Sequence, residues 1–171
     1  MTGMPFHQAQ YVKNGYTVFA SAVSNEFISN VLSRFELADA GELVAGDESS
    51  HSWREFALSE EDIPAHAALL TYADAVLGAP PVRASHWLNV YNIDEFIAGH
   101  VDAGGEAQLM VPLEMPPAGS GGDIWIGSQR QLIPLSVGDA LLFAAHRQSH
   151  GTTAVNEGRR ISLNIRLWLS D

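Results

Sequence analysis

His100-Val101-Asp102 and, fifty residues on, His150 are the residues of this chain with the clearest chemical potential. Two positions apart on extended chain, His100 and Asp102 point the same way and can reach one ion. His150 supplies a third donor. Two imidazoles and a carboxylate form a facial set that suits Fe(II) and leaves coordination positions open for reacting molecules. Ten residues after His150 comes Arg160, at the head of Arg160-Ile161-Ser162-Leu163-Asn164-Ile165-Arg166-Leu167-Trp168-Leu169, where polar and aliphatic residues alternate. That is strand periodicity, with one aliphatic face and one largely polar face. A guanidinium inside a fold needs an anion or several acceptors. The planar fork of Arg160 matches a carboxylate, and Ser162 adds a hydroxyl on the same face. These residues therefore predict a metal site beside an anion-binding arginine. The competing reading has a wet polar strand face, His100 in a loop and Asp102 in a turn.

The elements that must position these groups are mostly strands. Tyr16–Phe19 has the pattern of a short strand, and Ser24 caps a helix with Phe27, Ile28, Val31, Leu32 and Phe35 at helical spacing. Residues 38–52 are small, acidic and polar, and predict a long loop of the kind that serves as a lid. A second helix is expected over about Pro64–Leu77, with Asp62 as cap and Gly78 as stop. After Ala79-Pro80-Pro81 the texture is β: Arg83–Tyr91, Gln108–Met115, Asp123–Ile126, Leu132–Leu135, Ala140–Ala145, Thr152–Val155 and Arg160–Leu169. This is a mainly β chain with N-terminal helices. It predicts one domain over residues 1–171, a support layer at 1–82 and a jelly-roll core at 83–171.

The segment from Trp87 to Leu169 resembles the double-stranded β-helix of Fe(II)/2-oxoglutarate-dependent dioxygenases, most closely the prolyl 4-hydroxylase-like branch. The resemblance rests on Tyr91, His100-x-Asp102, Gly121-Gly122, Val137 to Phe143, His150-Gly151 and Gly158-Arg159-Arg160, in that order and spacing. It implies a cupin-like barrel in which His100, Asp102 and His150 bind iron. Arg160 and Ser162 would hold the distal carboxylate of 2-oxoglutarate, Tyr91 would line its pocket, and O2 would be the co-reactant. The chain departs from the branch at Phe96, where a second tyrosine is common, and at Arg160, where lysine is common. Related halogenases replace the ligand aspartate with a small residue. The presence of Asp102 thus implies hydroxylation of a C–H bond.

A short chain has little room for a peptide groove, so a small-molecule substrate, such as an amino acid or natural-product intermediate, is expected over a prolyl or peptidyl one. A metal-binding cupin without oxygen chemistry is the other alternative, and it would not need Arg160 and Ser162. Trp87 and Asn89 share the face of Tyr91 and are expected to line the pocket. Arg54, beside Trp53, is a candidate for the site mouth. Arg166 either meets a substrate carboxylate or pairs with an acidic residue, towards the other end of the barrel. Arg159 is expected to be solvated, His146 to sit at the surface or substrate side, and His7, His51, His66 and His86 to be structural or solvated. Either Trp125 or its neighbours Ile124 and Ile126 face inward.

Composition narrows the classes. The net charge of −11 repels phosphate backbones and speaks against nucleic-acid binding. With no cysteine in the sequence, thiolate zinc sites, disulfides and cysteine nucleophiles are excluded. No apolar run has membrane-spanning length, and Met1 to Gln10 lacks the pattern of a secretion signal, which together predict a cytoplasmic protein.

Overall fold

The computed structural model describes residues 4–37, 44–45 and 53–170. Its elements run α1 (Met4–Asn14), β1 (Tyr16–Phe19), α2 (Asn25–Leu37), β2 (Val44–Ala45), β3 (Arg54–Leu58), α3 (His66–Leu77), β4 (Arg83–Tyr91), β5 (Ala107–Glu114), β6 (Ile124–Ile126), β7 (Gln131–Leu132), β8 (Ala140–Phe143), β9 (His150–Thr152) and β10 (Arg160–Trp168). They form a seven-stranded sheet, in the order β1-β8-β5-β10-β4-β3-β2, and a three-stranded sheet, β7-β6-β9. All the strand pairs are antiparallel. Among the described residues no helix is long and apolar enough to cross a membrane.

β10 organises the large sheet. Its aliphatic side, Ile161, Leu163, Ile165 and Leu167, is fully buried with Leu88, Val90, Leu109 and Val111 of the flanking strands. The same cluster takes in Phe27, Ile28 and Val31 of α2 and Leu69, Ala73 and Val76 of α3, so the helices cover this face. The polar side is buried too: Arg160, Ser162 and Asn164 are each at most 2% exposed. It faces a cavity whose other walls come from the small sheet and β8. A wet polar face is thereby excluded, because a second sheet covers it.

Several expectations about the helical layer are corrected. α1 and β3 were not foreseen. α1 mixes apolar and polar residues without a clean stripe, and β3 has only five residues. Ser24 does cap α2, its hydroxyl accepting from Phe27 N at 3.2 Å. Asp62 does not cap α3: its carboxylate accepts from Ser59 N and Oγ at 2.8 and 2.7 Å and closes a 3-10 turn at Glu60–Asp62. α3 starts later, at His66, after Ala65 at φ 53°, and Gly78 ends it at φ 78°. Most of the expected 38–52 loop lies outside the described residues, as does His51; Val44–Ala45 pairs with β3 as a strand.

Candidate metal centre and its cavity

The two histidines come together through backbone pairing. His100 N donates to His150 O at 3.0 Å and His150 N to His100 O at 2.9 Å, which fixes the rings 4.3 Å apart, centroid to centroid. Asp102 N is anchored on Ala145 O at 3.0 Å. One ligand atom from each of His100, Asp102 and His150 lies within 4.8 Å of the others, a span that one ion can bridge.

Backbone carbonyls set the tautomers. His100 Nδ1 lies 2.9 Å from Ala98 O, and His150 Nδ1 lies 2.9 Å from Gln148 O. A carbonyl only accepts, so each δ nitrogen carries a proton and each Nε2 is turned to the centre, that of His100 lying 3.5 Å from Asp102 Oδ1. Burial of the His150 ring holds its pKa below the usual value. The hydrogen bond to Asp102 raises that of His100 against the opposing effect of burial. Burial alone would push the Asp102 carboxyl up; His100 and the Arg166 guanidinium outweigh it and leave the group lowered. The Asp102 carboxylate, the His150 Nε2 and, once a metal displaces the proton it shares with Asp102, the His100 Nε2 make up the donor set a divalent metal requires.

Two glycines set how closely the ligand segments approach the small sheet. A Cβ on Gly99 or on Gly151 would stand 2.7 Å from the Trp125 indole. Each glycine adjoins a candidate ligand histidine, and both rest on one ring. Trp125 therefore faces these segments and, with Phe96 and Arg130, lines a shallow depression, while Ile124 faces the main cavity. Ile97, rather than Phe96, reaches the main cavity.

That cavity encloses about 340 Å³, within the range of small-molecule sites. His100, Asp102, His150, Arg160, Ser162, Tyr91, Asn89, Trp87 and Arg166 all line it. Arg160 is 2% exposed; its guanidinium lies 5.0 Å from the Tyr91 ring centre and donates to Met110 Sδ at 3.1 Å. Its Nε has no hydrogen-bond partner among the described residues, and burial lowers its pKa. Such a cation is suited to a bidentate anion. Tyr91 is also buried, which raises its pKa, and its hydroxyl accepts from Asn89 Nδ2 at 3.2 Å.

Other placements differ from expectation. Arg166 is not remote from the centre: its guanidinium meets Asp102 Oδ2 at 2.6 Å and lies 5.2 Å from the Trp87 ring centre. The acidic partner is the candidate ligand itself. Arg54 lies outside the cavity lining, half exposed and 3.7 Å from Glu95; Trp53 and Glu55 line the cavity instead. Arg159 is not merely solvated, since it holds Glu114 through two contacts of 3.1 and 2.6 Å. His146 accepts from Arg147 Nε at 2.8 Å, His7 contacts Thr17 Oγ1 at 2.9 Å, and His66 and His86 pair with each other at 2.7 Å. Glu55, Gln108 and Met110 were not singled out from the sequence; the alternation of β5 about Leu109 and Val111 was the signal for the last two.

No protein-family model and no curated protein matches the sequence. Solved structures do match. A prolyl-4-hydroxylase from Pseudomonas putida superimposes with a TM-score of 0.81 at 12% identity, over 98% of this chain and 100% of that one. The epimerase SnoN, solved in complex with Fe3+, alpha ketoglutarate and nogalamycin RO, gives 0.79 at 16% identity, over 97% and 84%. A prolyl hydroxylase from Trichoplax adhaerens, in complex with a hypoxia inducible factor peptide fragment, gives 0.75 at 14% identity, over 96% and 88%. The chain has the fold of the 2OG-Fe(II) oxygenases, in the form shared by prolyl-4-hydroxylases and SnoN.

Proposed function

We propose that this chain is an Fe(II)- and 2-oxoglutarate-dependent dioxygenase that hydroxylates an unactivated C–H bond of a small molecule, within a double-stranded β-helix formed by residues 83–171. The observation that carries the reading is the convergence of three donors, His100 Nε2, an Asp102 oxygen and His150 Nε2, in one cavity with the buried guanidinium of Arg160. A cupin that only bound metal would have no use for that guanidinium, which costs desolvation energy without a compensating carboxylate.

Iron and 2-oxoglutarate, when bound, supply the oxidising chemistry that uses O2 and releases succinate and carbon dioxide. The chain's own residues do the rest. His100, Asp102 and His150 offer three donors, the two imidazoles oriented by the carbonyls of Ala98 and Gln148 and the carboxylate held by Arg166. Arg160 and the Tyr91 hydroxyl fit the distal carboxylate of the cosubstrate, with Ser162 beside them. Phe143, Ile124 and Ile97 exclude water from the centre. The cavity volume supports a small-molecule substrate.

The test is an anaerobic titration of Fe(II)-loaded protein with 2-oxoglutarate, watching for the weak visible charge-transfer band of the chelate. The expected result is a band that Arg160→Ala abolishes at the same cosubstrate concentration while metal binding persists. Intact metal binding with no band in the wild type would overturn the reading in favour of a non-oxygenase cupin. Succinate release, compared between free amino acids and proline-rich peptides, then decides the substrate class.

A further inference from the structure

The polar wall of the cavity contains a chain of amides whose direction is fixed at one end. Asn164 Nδ2 donates to the backbone oxygen of Ser162 at 3.1 Å. A backbone carbonyl only accepts, so Asn164 must turn its Oδ1 the other way. That oxygen accepts from Gln108 Nε2 at 3.1 Å. Gln108 is thereby oriented as well: its NH2 is committed, and its Oε1 has no hydrogen-bond partner among the described residues although the residue is only 6% exposed and lines the cavity. Asn89 repeats the pattern. Its Nδ2 is committed to Tyr91 Oη, and its Oδ1 is buried without a partner.

The cations of the cavity have contacts of their own. Arg166 is held by Asp102, and Arg160 sits against Tyr91 and Met110, although the Nε of each has no hydrogen-bond partner among the described residues. Glu55 adds a carboxylate to the lining; its Oε1 accepts from Trp53 Nε1 at 3.3 Å. Apart from the indole N–H of Trp87, the neutral polar atoms left without partners here are acceptors. Gln108 also stands opposite Arg166 in the β5–β10 register, next to the residue that reaches the metal ligand.

We propose that Gln108, oriented through Asn164 and Ser162, is a specificity-determining residue that accepts a hydrogen bond from an amine or hydroxyl group of the substrate. The site thereby selects donor-bearing small molecules over carboxylates and ethers of the same size. This deepens the oxygenase reading and rests on it only for the occupants of Arg160 and the metal centre. A site whose buried acceptor has been oriented in advance rejects a ligand that leaves it unpaired.

The test uses Zn(II)-loaded protein saturated with 2-oxoglutarate and measures binding of four probes by saturation-transfer NMR and indole fluorescence. The probes are 1-pentanol, its isomer butyl methyl ether, pentylamine and pentanoate. The expected result is that pentanol binds better than the ether, and pentylamine better than pentanoate, each by about fivefold or more, the value of one net hydrogen bond. Gln108→Leu should remove the preference and leave 2-oxoglutarate affinity within about twofold. Asn164→Leu, which frees the Gln108 amide to rotate, should let the ether gain on the alcohol. Equal binding of pentanol and the ether in the wild type, pentanoate binding above pentylamine, or a preference that survives both substitutions would each overturn the proposal. If 2-oxoglutarate itself does not bind, the oxygenase reading fails separately, and the same probe comparison without it still decides the role of Gln108.

Discussion

Two clusters in this molecule are built from the same parts, two histidines and a carboxylate, and only one is shaped to hold a metal. In the first, His100, Asp102 and His150 turn their donor atoms towards one point. In the second, the groups form a line: Glu60 Oε1 lies 3.2 Å from His66 Nδ1, and His66 Nε2 lies 2.7 Å from His86 Nε2. The ring separations are close, 4.3 and 4.6 Å. What differs is the fate of the second ring nitrogen. At the centre, carbonyls of Ala98 and Gln148 take the δ protons and turn both ε nitrogens inward, towards the Asp102 carboxylate. At the other cluster each ε nitrogen is spent on the neighbouring ring. Residue type permits a metal site; the backbone acceptor behind each ring determines whether one exists.

That contrast can be broken from the site outward. Asp102→Ala or His150→Ala should weaken Fe(II) or Zn(II) binding by more than about 100-fold, since losing a mere partner of a ligand already costs 10–100-fold; calorimetric metal titration reads this. Arg166→Leu should come next. It strips the guanidinium from a buried carboxylate, and we expect about tenfold weaker metal binding and about 2 kcal/mol lower stability of the metal-free protein by urea unfolding. His86→Leu should leave metal affinity unchanged and lower stability by about 1 kcal/mol, the net value of one hydrogen bond. Metal affinity that fell as far in this variant as in Asp102→Ala would dissolve the contrast.

The smallest expected effect is a pH dependence. Burial, reinforced by the proximity of His66, holds the His86 pKa below its ordinary value of 6.5. The unfolded state therefore takes up this proton first. The stability contribution is complete above pH 6.5 and is lost as the pH falls through the lowered value. In the metal-free protein His86→Leu should flatten part of the acid side of the stability profile, a change of less than about 1 kcal/mol, measured by urea midpoints between pH 7 and 5.

The sequence showed the parts whose information is local. The alternation along Arg160–Trp168 specified both faces of β10, and the two-residue spacing of His100 and Asp102 specified a shared direction. It could not show what long-range pairing decides. Arg166 meets Asp102 because the chain turns back after Asp102, so that Glu106 N donates to Leu167 O at 2.8 Å; no local pattern marks that return. The Gln108–Asn164 pair likewise depends on the register between β5 and β10, and one residue of slip would turn Gln108 into the aliphatic core. β3 and its inward Glu55 were missed because a short strand depends on its neighbour β4 for its conformation.

The stacking of Gly99 and Gly151 on Trp125 has a consequence for anyone who would re-engineer this chain. The indole is a datum plane from which the depth of both candidate ligand histidines is measured. A methyl group at either glycine would lift its neighbour off that plane, whereas a smaller ring at 125 would lower both together. Libraries aimed at new substrates should therefore treat these three positions as a single dimension of the scaffold, to be changed jointly or left alone.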